Sequence, residues 1–263
     1  MKNRILDSEL ENASGILTRN REKQLASGRK QTRVVLTSRD LDVFKFILEM
    51  RYATHAELFN RFFKVTHAGA EATSPEFMRR RLIALESSGL LARAKTIFVQ
   101  EKCYLANERT RKILQDRNPE EYFPRPTTHV HEVNFFHDQM VLKARKEFER
   151  DLGITDWISD HSLKSLAPKL FGLQSKYSPD GVYRLPDGKR VAFEFENAKK
   201  NRRLYFEKIQ KLKSAMDYGS DNSNMFSSVH FRCVSQAVFN MIKEETQRYG
   251  DRFRVELALA RKI

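Results

Sequence analysis

The chain has 263 residues, and 40% of them are hydrophobic, which is enough apolar surface for packed cores in one large or two ordinary domains. Its 48 Lys and Arg residues against 34 Asp and Glu give a formal net charge of +14. Such an excess favours a polyanionic partner, most often nucleic acid, because fixed positive charge releases condensed counterions from phosphates. No stretch approaches the roughly 20 apolar residues that span a bilayer, and the start lacks the apolar core of a signal peptide. We therefore expect a soluble, cytoplasmic protein with no membrane partner.

Two further classes of protein find no support in the sequence. The two cysteines, Cys103 and Cys233, are too far apart to indicate a disulfide scaffold or a cysteine-rich zinc module. We expect both to be buried apolar side chains. No glycine-rich phosphate loop is present, so ATP or NAD chemistry is not expected.

Composition divides the chain into four segments. The first is polar and mixed in charge with little apolar periodicity, which predicts a flexible basic arm. Pro119, Pro124 and Pro126 interrupt any helix further along, and this stretch reads as a linker between two domains. In chain order, the predicted arm, first domain, linker and second domain are residues 1–33, 34–117, 118–128 and 129–263.

The first domain has the pattern of three helices followed by a strand pair. Apolar residues at helical spacing and local capping residues mark each helix. The signals are Thr37 or Ser38 at the start of the first helix, Thr54 with Glu57 at the second, and Ser74, Pro75 and Gly89 at the third. Residues 90–105 have strand-like character. This order predicts a winged helix-turn-helix.

The third helix carries the arrangement that a recognition helix needs. At about 100° per residue, Met78, Leu82 and Leu85 form one apolar stripe, and Arg80 points almost directly away from it. Guanidinium groups then reach phosphate oxygens and guanine edges while the stripe anchors the helix. A solvated basic face on an ordinary helix is the alternative. The DNA-binding residues predicted in this domain are Arg79, Arg80, Arg81, Ser74, Lys95 and Lys102.

The second domain alternates helices and strands. A long helix of about twenty residues opens it, with Val133, Phe136, Met140 and Phe148 on one face. The later elements are predicted as strands at 154–159, 178–185 and 190–196, a basic helix at 201–218, a strand at 228–234, a helix at 237–249 and a strand at 253–259. This order indicates a mixed sheet with helices on its faces, so the fold class is α/β in the wider sense that includes α+β.

Acidic residues on two neighbouring strands are predicted to converge. Strand alternation places Glu194 and Glu196 on one face. A three-residue turn at 186–188, with Gly188 in the left-handed conformation, would set Asp180 opposite Glu194. A two-residue turn would shift the pairing by one residue and move Asp180 to the other face. We predict the three-residue turn.

Converging carboxylates repel one another, so we expect a divalent ion, Mg²⁺ or Mn²⁺, bound by Asp180 and Glu194. Such an ion would polarise a phosphoryl oxygen and lower the pKa of an attacking water. Glu196 would serve as a ligand or base, and Glu132, in the first turn of the long helix, as an auxiliary acid. The alternatives are a solvent-exposed sheet face for the two strand glutamates and helix-dipole stabilisation for Glu132.

A run of basic residues follows the proposed acidic centre and contains only one acid. It would form either a solvated helix or a phosphate-contacting face beside the carboxylates. The residues predicted to contact DNA in this run are Lys199, Lys200, Arg202 and Arg203.

Two segments of the second domain, Ser178-Pro179-Asp180-Gly181 and Phe193-Glu194-Phe195-Glu196-Asn197, resemble the PD-(D/E)xK signature of the restriction-endonuclease-like fold. The resemblance implies that Asp180 and Glu194 bind a catalytic metal and that a lysine two residues after the glutamate assists the nucleophile. Glu196 stands where that lysine is expected. The residues that could supply the missing amine from nearby are Lys199, Lys200 and Lys208.

The chain as a whole is similar to the replication-relaxation family, in which a winged helix precedes a nuclease-like domain. The matching stretches are Leu36-Thr37-Ser38-Arg39-Asp40, Arg79-Arg80-Arg81-Leu82, Ser88-Gly89-Leu90-Leu91, Tyr104-Leu105, His129, Pro179-Asp180 and Glu194-Phe195-Glu196. The similarity implies a role in plasmid or mobile-element replication, with a second copy of the chain or other replication proteins as candidate partners. One departure is Ala106-Asn107, which stands where a Thr-x-x-Gly turn often follows.

These observations lead to three hypotheses. The first is a protein that binds double-stranded DNA, in which the winged helix reads the duplex and the nuclease-like domain adds a second contact surface. The second is an enzyme, a Mg²⁺-dependent DNA endonuclease or nickase. The third is a scaffold that uses the nuclease-like domain to dock proteins. The residues alone leave the question of catalysis open.

Overall fold

A computed structural model of the chain describes residues 34–65, 69–72, 74–94, 102–170, 178–198, 200–217 and 225–258. Leu36–Ile263 form one unit of the structure, separate from Met1–Val35. The predicted arm, 1–33, lies outside the described residues, and so do Lys95 and Lys199. In the part that is described, no helix is long and apolar enough to cross a bilayer.

The N-terminal part consists of short helices around a small sheet. In chain order, its elements are α1 (Ser38–Met50), β1 (Ala53–Thr54), α2 (His55–Leu58), a π-helical turn (Phe59–Phe63), α3 (Glu76–Ser87), β2 (Leu91–Ala94), β3 (Cys103–Ala106) and α4 (Glu108–Arg117). The strand order is β1-β3-β2, and both pairings are antiparallel. The three predicted helices and the strand pair are thus confirmed.

The capping signals explain where these helices begin. Thr37 caps α1, since its hydroxyl accepts from Asp40 N at 3.3 Å while the Asp40 carboxylate accepts from Thr37 N at 2.7 Å. Thr54 and Glu57 form the same reciprocal pair at α2. Ser74 Oγ accepts from the N–H of Glu76, the first residue of α3, at 3.2 Å. Local sequence therefore determines the starts of α1 and α2, whereas α3 begins one residue later than predicted, with Pro75 rather than Ser74 at its N-cap position.

Helix α4 was not predicted. It follows Asn107, which lies where a Thr-x-x-Gly turn was the expected pattern. Asn107 caps α4 by accepting from Thr110 N at 3.0 Å, and its amide donates to the carbonyl of Gly89 at 2.9 Å. Gly89 has a positive φ of 70° just after α3. Asn107 therefore starts one helix and also fastens the loop that ends another.

The C-terminal part is a five-stranded sheet, as far as the structure describes it, with helices on both faces. Its elements are α5 (Glu132–Asp151), β4 (Trp157–Ser159), α6 (Asp160–Leu170), β5 (Gly181–Arg184), β6 (Arg190–Glu196), α7 (Arg202–Asp217), β7 (Ser228–Cys233), α8 (Gln236–Thr246), a 3₁₀ turn (Gln247–Arg252) and β8 (Phe253–Leu257). The strand order is β4-β5-β6-β7-β8. The first two pairings are antiparallel and the last two parallel, so the predicted mixed sheet and the mixed α/β class are confirmed.

Each face of this sheet packs against a different helix layer. Phe148 of α5 contacts the rings of Tyr183 and Phe193, with centroids 4.9 and 5.3 Å apart. On the other face, α7 and α8 bury Ile209 and Ile242 in one apolar cluster with the sheet. Strand alternation in β6 divides its side chains between the two layers.

Helix α6 was missed because Pro168 within it argues against a helix. The helix starts from a polar signal instead, since Ser159 Oγ accepts from Ser162 N at 3.2 Å. The glycine that opens β5 has a steric reason: a Cβ on Gly181 would lie 2.3 Å from the Trp157 ring. Only glycine leaves room for that ring beside the strand.

Helices α1 and α5 connect the N-terminal and C-terminal parts through charged side chains. Arg145 of α5 donates to Glu49 of α1 at 3.0 Å and to Glu149 at 2.9 Å. Arg61 forms two further hydrogen bonds to Glu149, at 2.6 and 2.7 Å. Nearby, the ring of Tyr52 stacks on that of Phe135 with centroids 5.6 Å apart.

The candidate DNA-binding face and the acidic centre

The three arginines of α3 have three different environments. Arg79 is exposed and donates to the carboxylate of Glu76 at 3.0 Å, one turn earlier. Arg81 turns inward and donates through Nε to Asp40 Oδ1 at 2.9 Å. Arg80 is exposed, and among the described residues its guanidinium has the carboxylate of Glu76, one turn earlier, as a nearby charge but forms no hydrogen bond or salt bridge. Of the three, Arg80 is the one whose charge is directed to solvent.

Arg81 has a structural partner that the sequence did not reveal. Asp40 is 1% exposed and takes two hydrogen bonds from Arg81 while it caps α1. Burial alone would raise the pKa of Asp40, but the bonds from Arg81 and Thr37 outweigh it and hold that pKa below its usual range. Asp40 therefore remains ionised and fastens α3 to α1.

The remaining predicted contacts of this domain lie beside α3 or before β3. Ser74 is exposed, although its hydroxyl already accepts a hydrogen bond from Glu76 N. Lys102 is exposed immediately before β3, and its carbonyl accepts from His55 N at 2.9 Å. Lys95, the third of these residues, is not described. The Ser74 hydroxyl is therefore engaged at the start of α3, whereas the Lys102 side chain is exposed and its backbone carbonyl is the group bonded to His55.

The β5–β6 hairpin has the predicted register. Gly181 pairs with Phe193 and Arg184 with Arg190, which is the pairing set by a three-residue turn. Gly188 in that turn has φ +85°, and its N–H donates to the carbonyl of Leu185 at 2.9 Å. The next positions beyond the last pair are those of Asp180 and Glu194, so the two acids lie next to each other.

Asp180 lies where β5 begins and is held by two hydrogen bonds. Its Oδ2 accepts from the N–H of Phe195 at 2.8 Å and lies 3.2 Å from Nε2 of His137, a residue of α5. Burial acts to raise the pKa of Asp180, but the bond from His137 and the charge of Lys208 outweigh it and lower that pKa. Asp180 is therefore an ionised carboxylate.

His137 is the ionised partner of this pair. Burial alone would lower the pKa of its imidazole. Hydrogen bonds to Asp138 and Asp180 outweigh that effect and raise the pKa of His137 to about 10. The ring also lies edge-on to Phe195 with centroids 5.8 Å apart. A cation on α5 therefore compensates the charge of Asp180.

Lys208 of α7 occupies the centre of the acidic group. Its Nζ lies 2.5 Å from Glu194 Oε2 and 2.6 Å from Glu196 Oε1. Burial opposes the ammonium, yet the carboxylates of Glu194, Glu196 and Asp180 raise the pKa of Lys208 above its usual range. Lys200 adds a second amine, 2.8 Å from Glu196 Oε2. Both strand glutamates thus have lysine partners within the chain.

Glu194 has a carboxyl whose pKa is raised, in contrast to that of Asp180. Its residue is 2% exposed. Burial and the negative charges of Asp180 and Glu196 raise the pKa of Glu194 to about 8, although Lys208 acts in the opposite direction. The alternative of a solvent-exposed acidic sheet face therefore does not describe Glu194 or Glu196, since both are buried.

A cavity of about 350 Å³ opens beside these residues. Asp180, Glu194 and Lys208 line it together with Lys200 and Lys211. In the described ranges, no three His, Cys, Asp or Glu side chains are arranged to hold a metal ion. Lys208 occupies the position beside Glu194 in this arrangement, so an ion such as Mg²⁺ or Mn²⁺ can bind that carboxylate only if the ammonium moves away.

The basic run on and before α7 is largely paired with acids. Arg202 donates to Glu245 at 2.7 Å and to Glu244 at 2.9 Å, while Arg203 donates to Glu207 at 2.9 Å. Both arginines remain exposed, so these pairs contribute little to stability and can exchange for phosphate contacts. Lys200 is directed to the acidic centre rather than along the helix face.

The structure brings together some predicted residues and adds others. Asp180, Glu194 and Glu196 converge as expected, but Glu132 begins α5 with an exposed side chain. His137, five residues later, is the α5 side chain in contact with Asp180. In the sequence, His137 stands out only as the last of three histidines between residues 129 and 137. Helical spacing from the apolar stripe could have placed it on the sheet side.

Comparison of the chain with protein-family models, with curated proteins and with solved structures gives no match.

Proposed function

We propose that this chain is a DNA-binding protein whose N-terminal part is a winged helix-turn-helix. The proposal is supported by the order α1-β1-α2-α3-β2-β3 and by the small sheet β1-β3-β2, which is the arrangement expected of that fold. In it α3 takes the position of the recognition helix, and the β2–β3 pair takes that of the wing. Duplex DNA is the partner that such a helix fits.

The observation that carries the proposal is the orientation of Arg80. The opposite side of α3 buries Met78, Leu82 and Leu85, so the helix is fixed to its domain by an apolar stripe. Arg80 projects from the free side, and Asp40 holds α3 against α1 through Arg81. A rigid helix that presents a guanidinium outward is suited to bidentate contacts with guanine or phosphate.

The C-terminal part is proposed to be a restriction-endonuclease-like domain that adds a second contact surface. The β5–β6 hairpin, with Asp180 and Glu194 adjacent, agrees with the signature on which that resemblance rests. Arg202 and Arg203 at the start of α7 are exposed cations that phosphates can reach. The role in plasmid or mobile-element replication rests on the resemblance to the replication-relaxation family.

Fluorescence anisotropy with a labelled duplex tests the DNA-binding proposal. We expect Arg80→Ala to weaken binding by about ten-fold and to lower the slope of log K against log salt by about one, because one phosphate or base contact is lost. Arg150→Ala is the matched control, since Arg150 is an exposed arginine of α5 far along the chain from α3. Equal affinities of wild type and Arg80→Ala would contradict the proposal.

A second candidate function, a metal-dependent DNA endonuclease or nickase, is favoured by one observation. Asp180, Glu194 and Lys208 line one cavity, so the two proposed metal ligands lie beside an amine that could take the role of the missing lysine. The candidate requires Lys208 to leave Glu194 when an ion binds. In the arrangement described, the lysine satisfies the carboxylates without an ion.

Incubation with supercoiled and linear DNA in Mg²⁺ or Mn²⁺ distinguishes the two functions. Cleavage by the wild type that is lost in Asp180→Ala would establish the enzyme. Asp187→Ala is the matched control, because Asp187 lies in the exposed turn of the same hairpin and pairs only locally with Lys189. Duplex binding with no cleavage by any of the three proteins would establish a binding protein.

A further inference from the structure

The free face of α3 carries two large apolar side chains as well as Arg80. Phe77 is 56% exposed and Ile83 is 44% exposed. At about 100° per residue, they lie about 60° to either side of Arg80 and one turn before and after it. The exposed stripe of the helix is therefore apolar, basic and apolar in that order.

Packing inside the domain does not account for this stripe. Among the described residues, the Phe77 ring lies 6.3 Å from that of Phe63 between centroids, and more than half of the Phe77 surface is uncovered. Ile83 lies on the side of α3 away from the buried residues Leu82 and Leu85. Two exposed apolar groups that flank Arg80 on one helix face favour a partner surface with apolar groups of its own.

The charge of the face determines which partner fits. Arg80 lies between the two apolar side chains, and the acid on the same face, Glu76, is hydrogen-bonded to Arg79, so the face keeps a net positive charge that is complementary to a polyanion. Within a DNA major groove, the apolar groups on base edges are the C5 methyls of thymine, whereas guanine presents acceptors to arginine. A guanine flanked by thymines therefore matches this stripe, with the guanine opposite Arg80 and the thymine methyl groups opposite the two apolar side chains.

We infer that Phe77 and Ile83 determine sequence specificity by contacting thymine methyl groups on either side of a guanine bound by Arg80. The inference rests on the proposed function and names the bases that its helix reads. From residue 77 to residue 83 the helix rises about 9 Å at roughly 1.5 Å per residue. Three neighbouring base pairs are separated by two steps of roughly 3.4 Å, or about 7 Å, which is close to that length, so the three side chains can face three neighbouring base pairs.

Selection from a random duplex pool, followed by anisotropy on the enriched sequence, tests the inference. In that sequence each thymine near the enriched guanine is replaced in turn by deoxyuridine, which lacks only the methyl group. We expect each contacted methyl to be worth about four-fold in wild-type affinity, the value of one buried methylene. Phe77→Ala should bind thymine and deoxyuridine duplexes equally at one of the two positions and still prefer thymine at the other. Ile83→Ala should show the same effect with the two positions exchanged.

The DNA change leaves the protein untouched, so the result does not depend on whether a variant folds. Val133→Ala is the control, because Val133 is 93% exposed on α5 and should leave discrimination intact. Equal wild-type affinity for thymine and deoxyuridine duplexes, or discrimination that survives in both α3 variants, would overturn the inference while duplex binding stands. If the wild type binds no duplex, the proposed function fails and the inference fails with it.

Discussion

Asp40 shows how one side chain can serve two elements. It caps α1 and receives the guanidinium of Arg81 from α3, although it is almost completely buried. An ionised carboxylate at such a position is maintained because several donors surround it. Asp40 therefore keeps α3, and with it Arg80, in a fixed orientation relative to the rest of the N-terminal part.

We expect Asp40→Asn to lower the free energy of unfolding by about 3 kcal/mol at pH 7, because Arg81 loses its ionic partner. Since the folded-state pKa of Asp40 is depressed, its contribution is present above the unfolded value near 3.8 and is lost as pH falls further. Urea denaturation of both proteins at pH 7 and pH 3 measures this. A difference that does not shrink at pH 3 would contradict the role of the ionised form.

At the scale of elements, α7 supplies the cation that the acidic strand needs. Lys208 reaches Glu194 and Glu196 from the helix that covers this face of the sheet. Buried carboxylates without a counter-charge are costly, so the position of α7 over β6 is part of what allows two acids to be buried there. The same contact decides whether the site is free to accept a metal ion.

Replacing Lys208 with Met should destabilise the protein by about 3 kcal/mol at pH 7, since two buried carboxylates lose their partner. Raising the pH from 7 to 9 should increase the loss, because Glu194, whose pKa burial and its acidic neighbours raise to about 8, must then ionise without the lysine. Millimolar Mn²⁺ should raise the melting temperature of this variant but not of the wild type.

Lys213→Met is the matched control for this prediction. Lys213 lies on the same helix and pairs with Asp217 at the surface, so its loss should change the free energy of unfolding by less than about 1 kcal/mol. Equal stability of the two variants at pH 7 would show that Lys208 does not compensate the acids.

At the scale of the whole molecule, the proposed DNA-binding part and the sheet domain meet through α1 and α5. The Arg145 side chain is 9% exposed and contacts Glu49, Glu149 and the ring of Phe46. Arg51 continues this network to Asp160 and approaches Asp138, the neighbour of His137. The N-terminal and C-terminal parts are therefore joined by ion pairs in which each part supplies one of the two charged side chains.

Arg145→Ala should lower the unfolding free energy by about 3 kcal/mol, because Glu49 and Glu149 lose a buried partner. Differential scanning calorimetry should show one transition for the wild type and a lower or divided transition for the variant. Arg150→Ala, an exposed change on the same helix, should leave the profile unchanged. Identical profiles for wild type and Arg145→Ala would mean that this network does not couple the two parts.

Local patterns in the sequence determined much of this protein. The capping pair of Thr54 with Glu57, the apolar stripe of α3 and the turn at Gly188 act over a few residues, so they predicted a helix start, the exposed position of Arg80 and the hairpin register. Helices α4 and α6 were missed where capping by Asn107 and Ser159 was not recognised.

The tertiary structure alone decided which partner each charge has. Arg81 meets Asp40 across 41 residues, and His137 meets Asp180 across 43. Lys208 reaches Glu194 only because α7 returns over the sheet. The physical reason is that a charge pair depends on distance and burial in space, whereas periodicity in a sequence specifies only the face of an element on which a residue lies.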